Sequence, residues 1–199
     1  MCAACLRPQT TCICHWAAPV TSGAGVLILQ HPMEIHHAKN SARLLHLCLP
    51  GSVIAVGETF EEQALAALLA GPRRPVLLYP DTPGDTALGM APPPFDPAWM
   101  AAPQRLLLVV LDATWRKSRK MLYLNPALQR LPRLPLRDMP ASHYRIRKAH
   151  APDQLSTLEA VAYALGQIEH DEGKYAPLIT AFDSFVGQQA GYASGPVPD

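Results

Sequence analysis

The chain has 199 residues, 49% of them hydrophobic and 17% charged: enough for one full-sized core with a small appendage, and too apolar for a disordered tail. No uninterrupted apolar run approaches the roughly 20 residues that span a bilayer, and the N-terminus shows neither a basic region nor an apolar stretch of signal-peptide type. A cytoplasmic protein without membrane contact is the expectation, its five cysteines ligands or free thiols rather than disulfides.

Residues 1–16 carry four cysteines, Cys2, Cys5, Cys12 and Cys14, in a CxxC…CxC arrangement with little core-forming pattern. Four thiolates this close can surround one tetrahedral Zn²⁺, and a closed four-sulfur sphere leaves no position for a reacting water, so the metal is expected to be structural. A redox CxxC is the rival, but it belongs at the helix start of a βαβ unit, and nothing here reads as one. The expected knuckle ends in a Pro/Gly/Ser/Thr connector, "APVTSGAG", before a second unit over 24–190.

That unit alternates strand-length apolar runs with helical patterns. "GVLILQ", "SVIAVG", "PVLLYP" and "RLLLVVLD" lack polar alternation and read as strands buried on both faces. Helices are expected over 36–49, over 61–70, and from "TWRKSRKMLY" onward; Cys48 falls on an apolar helix face and reads as core. The proline-broken segment "PALQRLPRLPLRDMPASHYRIRK" reads as loop with one short strand. Helices near 157–170 and 174–190 follow, and 191–199 reads as a frayed tail. Strands separated by helices predict an α/β fold, a mostly parallel sheet sandwiched by helices. The Pro/Gly-rich loop over 81–97 follows a strand, where α/β domains commonly place ligands.

"VVLDATWRKSRKML" (109–122) begins as a buried strand and ends as a band of cations. Asp112, at the carboxyl end of the most apolar strand, is partly desolvated there, a setting that suits a proton acceptor or a hydrogen-bond partner. It can equally cap the following helix, and so can Thr114. Trp115 is either a core anchor or a platform on which a base stacks. The overall charge is only +1, yet between Arg116 and Lys148 ten cations face the single acid Asp138. Such segregation is the footprint of a polyanion-binding face, with a solvated basic helix as the plain alternative. Arg116, Lys117, Arg119, Lys120, Arg147 and Lys148 are the expected RNA contacts.

"DATW" matches the D-x-T-W signature that names the DTW-domain family. The cysteine spacing, "HPMEIHHAKNSARLL", "YRIRKAH" and "STLEA" resemble that family in the same order and cover nearly the whole chain. One departure is Asn40-Ser41, where the family has Asn-Thr; a hydroxyl is kept. The family is similar to the SPOUT class, which implies a C-terminal trefoil knot holding S-adenosylmethionine. Its characterised members imply transfer of the 3-amino-3-carboxypropyl group of S-adenosylmethionine to N3 of a tRNA uridine. On this resemblance Asp112, Thr114 and Trp115 form the expected catalytic set. Tyr144, Arg145, Ser156, Thr157, Glu159, His31, Glu34 and Asn40 form the expected cofactor pocket.

The chemistry asks for grips on the donor's carboxylate and ammonium and for a base at the uridine N3–H. Asp112 is the expected base, with Tyr144 and His150 behind it. Ser156 and Glu159 also satisfy the pattern of a capping box, and that structural account is as good as a pocket role. No GxGxxG fingerprint supports a Rossmann-type site. Two other functions remain open, a SPOUT-type RNA methyltransferase and a non-catalytic zinc-containing RNA-binding protein. A homo-oligomer is compatible with the class, but no self-complementary patch is visible.

Overall fold

A computed structural model describes residues 1–82, 91–137 and 155–193. Five parallel strands form one sheet: β1 (Gly25–Gln30), β2 (Val53–Val56), β3 (Arg74–Leu78), β4 (Leu106–Asp112) and β5 (Arg133–Leu134), in the order β2-β1-β4-β3-β5. Alternate residues of the central strands serve opposite faces. Val26, Ile28, Leu108 and Val110 join one core with Leu44 and Leu45 of α1 (Ala42–Cys48), Leu158 and Leu165 of α5 (Thr157–Glu169), and Phe182 and Phe185 of α6 (Ala176–Ala193). Leu27, Leu29, Val109 and Leu111 join the other, with Leu65 of α2 (Glu62–Leu69), Met121 and Leu122 of α3 (Trp115–Leu124), and Leu128 of α4 (Pro126–Gln129). The helices thus cover both faces of the sheet, as the apolar strand runs predict.

Three expectations need correction. The helix expected over 36–49 starts only at Ala42, after a single 3-10 turn at Pro32–Glu34. Asn40 is the cause: its side-chain oxygen accepts the Ala42 amide at 3.0 Å and sets where α1 begins. Strand β2 is not buried on both faces, since it is the sheet's outer strand and Val53 and Val56 are 47% and 49% exposed. Helix α6 runs through Gly191 to Ala193, so the tail expected to fray from 191 is helical for its first three residues. The segment that decides whether a trefoil knot forms lies outside the described residues.

The cysteine segment packs into the same core as the sheet. Ile13 and Cys5 are buried beside α1 and α6. The Trp16 indole donates to Gln188 of α6 at 3.0 Å, and Arg43 of α1 holds the Ala4 carbonyl at 2.6 Å and 2.9 Å. Cys48 is fully buried, as expected, and its sulfur accepts the Ala18 amide.

The chain leaves β1 through α1 toward β2 on one side, and leaves β4 through α3 and α4 toward β5 on the other. The crevice beyond the carboxyl ends of β1 and β4 is therefore the point where strand order switches direction, the usual ligand position in open parallel sheets.

Candidate active site

Gln30 and Asp112 end β1 and β4 and stand opposite each other in register. Asp112 is 4% exposed, and its carboxylate is held from three directions. Oδ2 accepts the Gln30 side-chain amide at 2.9 Å and the Asn40 amide at 2.7 Å, while Oδ1 accepts the Thr157 hydroxyl at 2.7 Å. A buried charge needs such partners, and here β1, the β1–α1 turn and the start of α5 each supply one. Asp112 is not the helix cap. Thr114 occupies that position for α3 by backbone geometry, without a side-chain capping bond.

Ser41, next to Asn40, accepts the Leu158 amide at 3.3 Å on its hydroxyl, so the hydroxyl kept at Asn40-Ser41 takes one of the unpaired amides at the start of α5. Ser156 and Glu159 form the capping box: the Ser156 amide donates to Glu159 Oε2 at 2.7 Å, and the Glu159 amide to Ser156 Oγ at 3.2 Å. Glu159 is fully buried, and its carboxylate serves the start of α5.

His31 follows β1. Its amide donates to the Asp112 carbonyl at 3.0 Å, its Nδ1 accepts the Met33 amide, and its Nε2 lies 2.9 Å from Glu58. Both contacts are satisfied when the ring carries its proton on Nε2. Glu58 also pairs with Lys120 at 2.8 Å, and Lys120 first, then His31, holds its carboxyl below the ordinary value. Glu34 pairs with Lys117 at 2.8 Å. Two cations of the expected RNA-binding band therefore already face carboxylates on the β1–β2 side of the crevice.

The rest of the band divides. Arg116 and Arg119 are exposed on α3, while Met121 and Leu122 are buried as the helix pattern requires. Trp115 is not a core anchor: it is 53% exposed, and the Tyr79 ring meets it edge-on with ring centroids 5.5 Å apart. Arg133 does not belong to the basic surface, being buried beneath Tyr79. Tyr144, Arg145, Arg147, Lys148 and His150 lie outside the described residues.

The four N-terminal cysteine sulfurs lie within 4.8 Å of one another, with Cys2–Cys14 at 3.6 Å and Cys5–Cys12 at 3.8 Å. A tetrahedral zinc at about 2.3 Å from each sulfur sets them roughly 3.8 Å apart, so the donor set fits. The backbone amides of Cys5 and Ala4 pull the Cys2 thiol down, while burial and the neighbouring thiols push Cys14 up, so it is the spacing of the sulfurs that argues for a metal.

Sequence reasoning missed Gln30, Glu58 and the burial of Arg133. Gln30 carried the one available signal, a polar residue closing an apolar strand. Glu58 and Arg133 act through neighbours distant in the chain.

The fold is a parallel α/β domain with a buried acid at the point where its strand order switches direction. Residues 1–190 match the DTW domain, and the chain belongs to the DTW-domain family. It is 30% identical over 84% of its length to tRNA-uridine aminocarboxypropyltransferase 2 of Mus musculus, covering 56% of that protein. To the protein of the same name from Drosophila melanogaster it is 32% identical over 84% of its length, covering 66% of the relative. To tRNA-uridine aminocarboxypropyltransferase A of Arabidopsis thaliana it is 26% identical over 96% of its length, covering 81%. The chain thus spans little more than half of the mouse relative. No solved structure matches it. No helix among the described residues is long and apolar enough to cross a membrane.

Proposed function

We propose that this protein transfers the 3-amino-3-carboxypropyl group of S-adenosylmethionine to N3 of a tRNA uridine, releasing 5′-methylthioadenosine. The carrying observation is Asp112, a buried acid joined through Thr157 to the switch-point crevice, in a chain of the DTW-domain family. The sulfonium of the bound donor activates the carbon that is transferred. The protein must position that carbon, rather than the methyl, against the uridine and remove the N3 proton.

Asp112 is too enclosed to meet a nucleobase directly, and Thr157, less buried, stands beside it. The Thr157 oxygen takes the N3 proton while its own proton passes to Asp112 Oδ1. Gln30 and Asn40 hold Oδ2 and so turn Oδ1 toward Thr157. A base of this kind contributes about 10²–10⁴-fold to the rate. Trp115 offers its exposed ring for stacking a base, and Arg116 and Arg119 offer charge to the tRNA backbone. His31, Glu34 and Asn40 shape the β1 side of the donor pocket, and Ser156 and Thr157 its α5 side. The C-terminal knot of the SPOUT class and a structural zinc on Cys2, Cys5, Cys12 and Cys14 complete this reading.

The test is mass spectrometry of nucleosides after incubating unmodified tRNA with the protein and S-adenosylmethionine. The expected product is a uridine carrying the aminocarboxypropyl group. A methyl adduct would make the protein a methyltransferase, and no uptake of the donor would leave an RNA-binding protein.

A further inference from the structure

Arg133, at the start of β5, is 4% exposed, and three observations set it apart from the other cations of its region. Its Nη1 is anchored, donating to the Pro80 carbonyl at 3.3 Å and to the Thr82 hydroxyl. Its guanidinium lies over the Tyr79 ring, 5.4 Å from the centroid, and the other side of that contact chain is Trp115. Its Nε and Nη2 are buried and have no hydrogen-bond partner among the described residues.

These two free donors are not scattered. Nε–H and Nη2–H form one edge of the guanidinium, the edge whose parallel bonds match the two oxygens of a carboxylate. An arginine cannot shed its charge, so a buried and dry fork calls for an anion. The fork also lies at the right end of the sheet. Arg133 pairs with Leu77, level with Val109 on the α3 face, and its Nη1 contacts with Pro80 and Thr82 carry the guanidinium past the carboxyl end of β3, where Tyr79 links it to Trp115.

We propose that Arg133 binds the carboxylate of the aminocarboxypropyl donor through Nε and Nη2, an inference that rests on the transferase reading above. Burial favours a small carboxylate over a phosphate of the tRNA backbone, because a polymer strand cannot follow into a site closed to solvent. The anchored Nη1 fixes the plane of the fork before the ligand arrives, so little side-chain freedom is lost on binding. By holding the carboxylate of the chain to be transferred, Arg133 acts on the feature that separates this reaction from methyl transfer.

Calorimetry on the full chain tests this with two ligands, S-adenosylmethionine and its decarboxylated analogue, which keeps the sulfonium and the ammonium and lacks only the carboxylate. The wild type should prefer S-adenosylmethionine. Arg133→Gln should weaken it on the order of ten- to a hundredfold, as expected for losing a charged hydrogen-bond pair, and leave the analogue within about twofold. Arg133→Lys keeps the charge without the fork and should fall between; it carries the test if the glutamine variant does not fold. Equal losses for both ligands, or none, overturn the proposal. So does an effect confined to tRNA affinity and its salt dependence, which would mark a phosphate site. A wild type that binds neither ligand sinks the transferase reading itself, whereas one that binds both but ignores Arg133 sinks only this inference.

Discussion

Replacing Asp112 by asparagine separates its two duties, holding the crevice together and accepting a proton. The asparagine oxygen must take the Oδ2 position, because only an acceptor can face the amides of Gln30 and Asn40. Its NH₂ then points at Thr157, whose hydroxyl turns to accept. All contacts survive, but all three bonds lose their charge assistance, worth roughly 1 kcal/mol each, for a destabilisation of about 3 kcal/mol. In a chain of this size that lowers Tm by about 6–12 °C, so the variant remains folded under assay conditions. Proton acceptance is abolished, and single-turnover nucleoside formation should fall by about 10²-fold or more, with donor and tRNA binding retained. Thr157→Val cuts the same relay one atom earlier and should show a loss of similar size. Because both act in one step, the double variant should be hardly worse than either single one. Thr157→Val with near wild-type turnover would refute the relay and leave Asp112 as the residue that fixes Gln30, Asn40 and α5.

Three further outcomes are expected. Metal analysis of protein purified without chelators should find about one zinc per chain, and Cys5→Ser should lose the metal and lower Tm, since Cys5 is buried in the main core. Lys117→Ala with Lys120→Ala should reduce the log–log salt slope of tRNA binding by less than two, the value for two full phosphate contacts at about one each, because Glu34 and Glu58 already compete for these cations. Burial raises the Glu169 carboxyl, but Lys174, Tyr175 and the Gly23 amide outweigh it and leave Glu169 below its ordinary 4.5. A depressed carboxyl contributes stability above that value and loses it as pH falls through the folded one, so Tm should drop below about pH 4.5. Glu169→Gln should be less stable at neutral pH and show a shallower drop.

The sheet was legible because its strands are apolar runs of strand length, and the position of Asp112 followed from its place at the end of one. What escaped was context. The β2 run looks like the others in sequence, and only its place at the sheet edge exposes Val53 and Val56. The helix pattern over 36–49 is real in spacing, yet Asn40 intercepts the Ala42 amide and starts α1 late. The cation count between Arg116 and Lys148 suggested one uniform surface. Packing instead buries Arg133 and sets Lys117 and Lys120 against acids from two other loops, with Lys120 still as exposed as Arg116 and Arg119. A count of charges cannot tell a solvent-facing cation from one whose partner lies 80 residues away.

The cysteine knuckle has a structural link to this chemistry. Arg7 lies between Cys5 and Cys12 in the chain, and its guanidinium donates to the Ala38 carbonyl at 2.8 Å and to the Asn40 carbonyl at 3.3 Å. Asn40 then donates to Asp112. A metal that fixes the four sulfurs therefore also fixes Arg7, and Arg7 steadies the turn whose side chain holds the Asp112 carboxylate. Coupling of this sort requires no metal chemistry at the crevice: a closed four-sulfur sphere acts through geometry alone. The effect should be confined to Asn40 and its partners, because the Thr157 contact reaches Asp112 from α5, which is anchored independently by the capping box of Ser156 and Glu159.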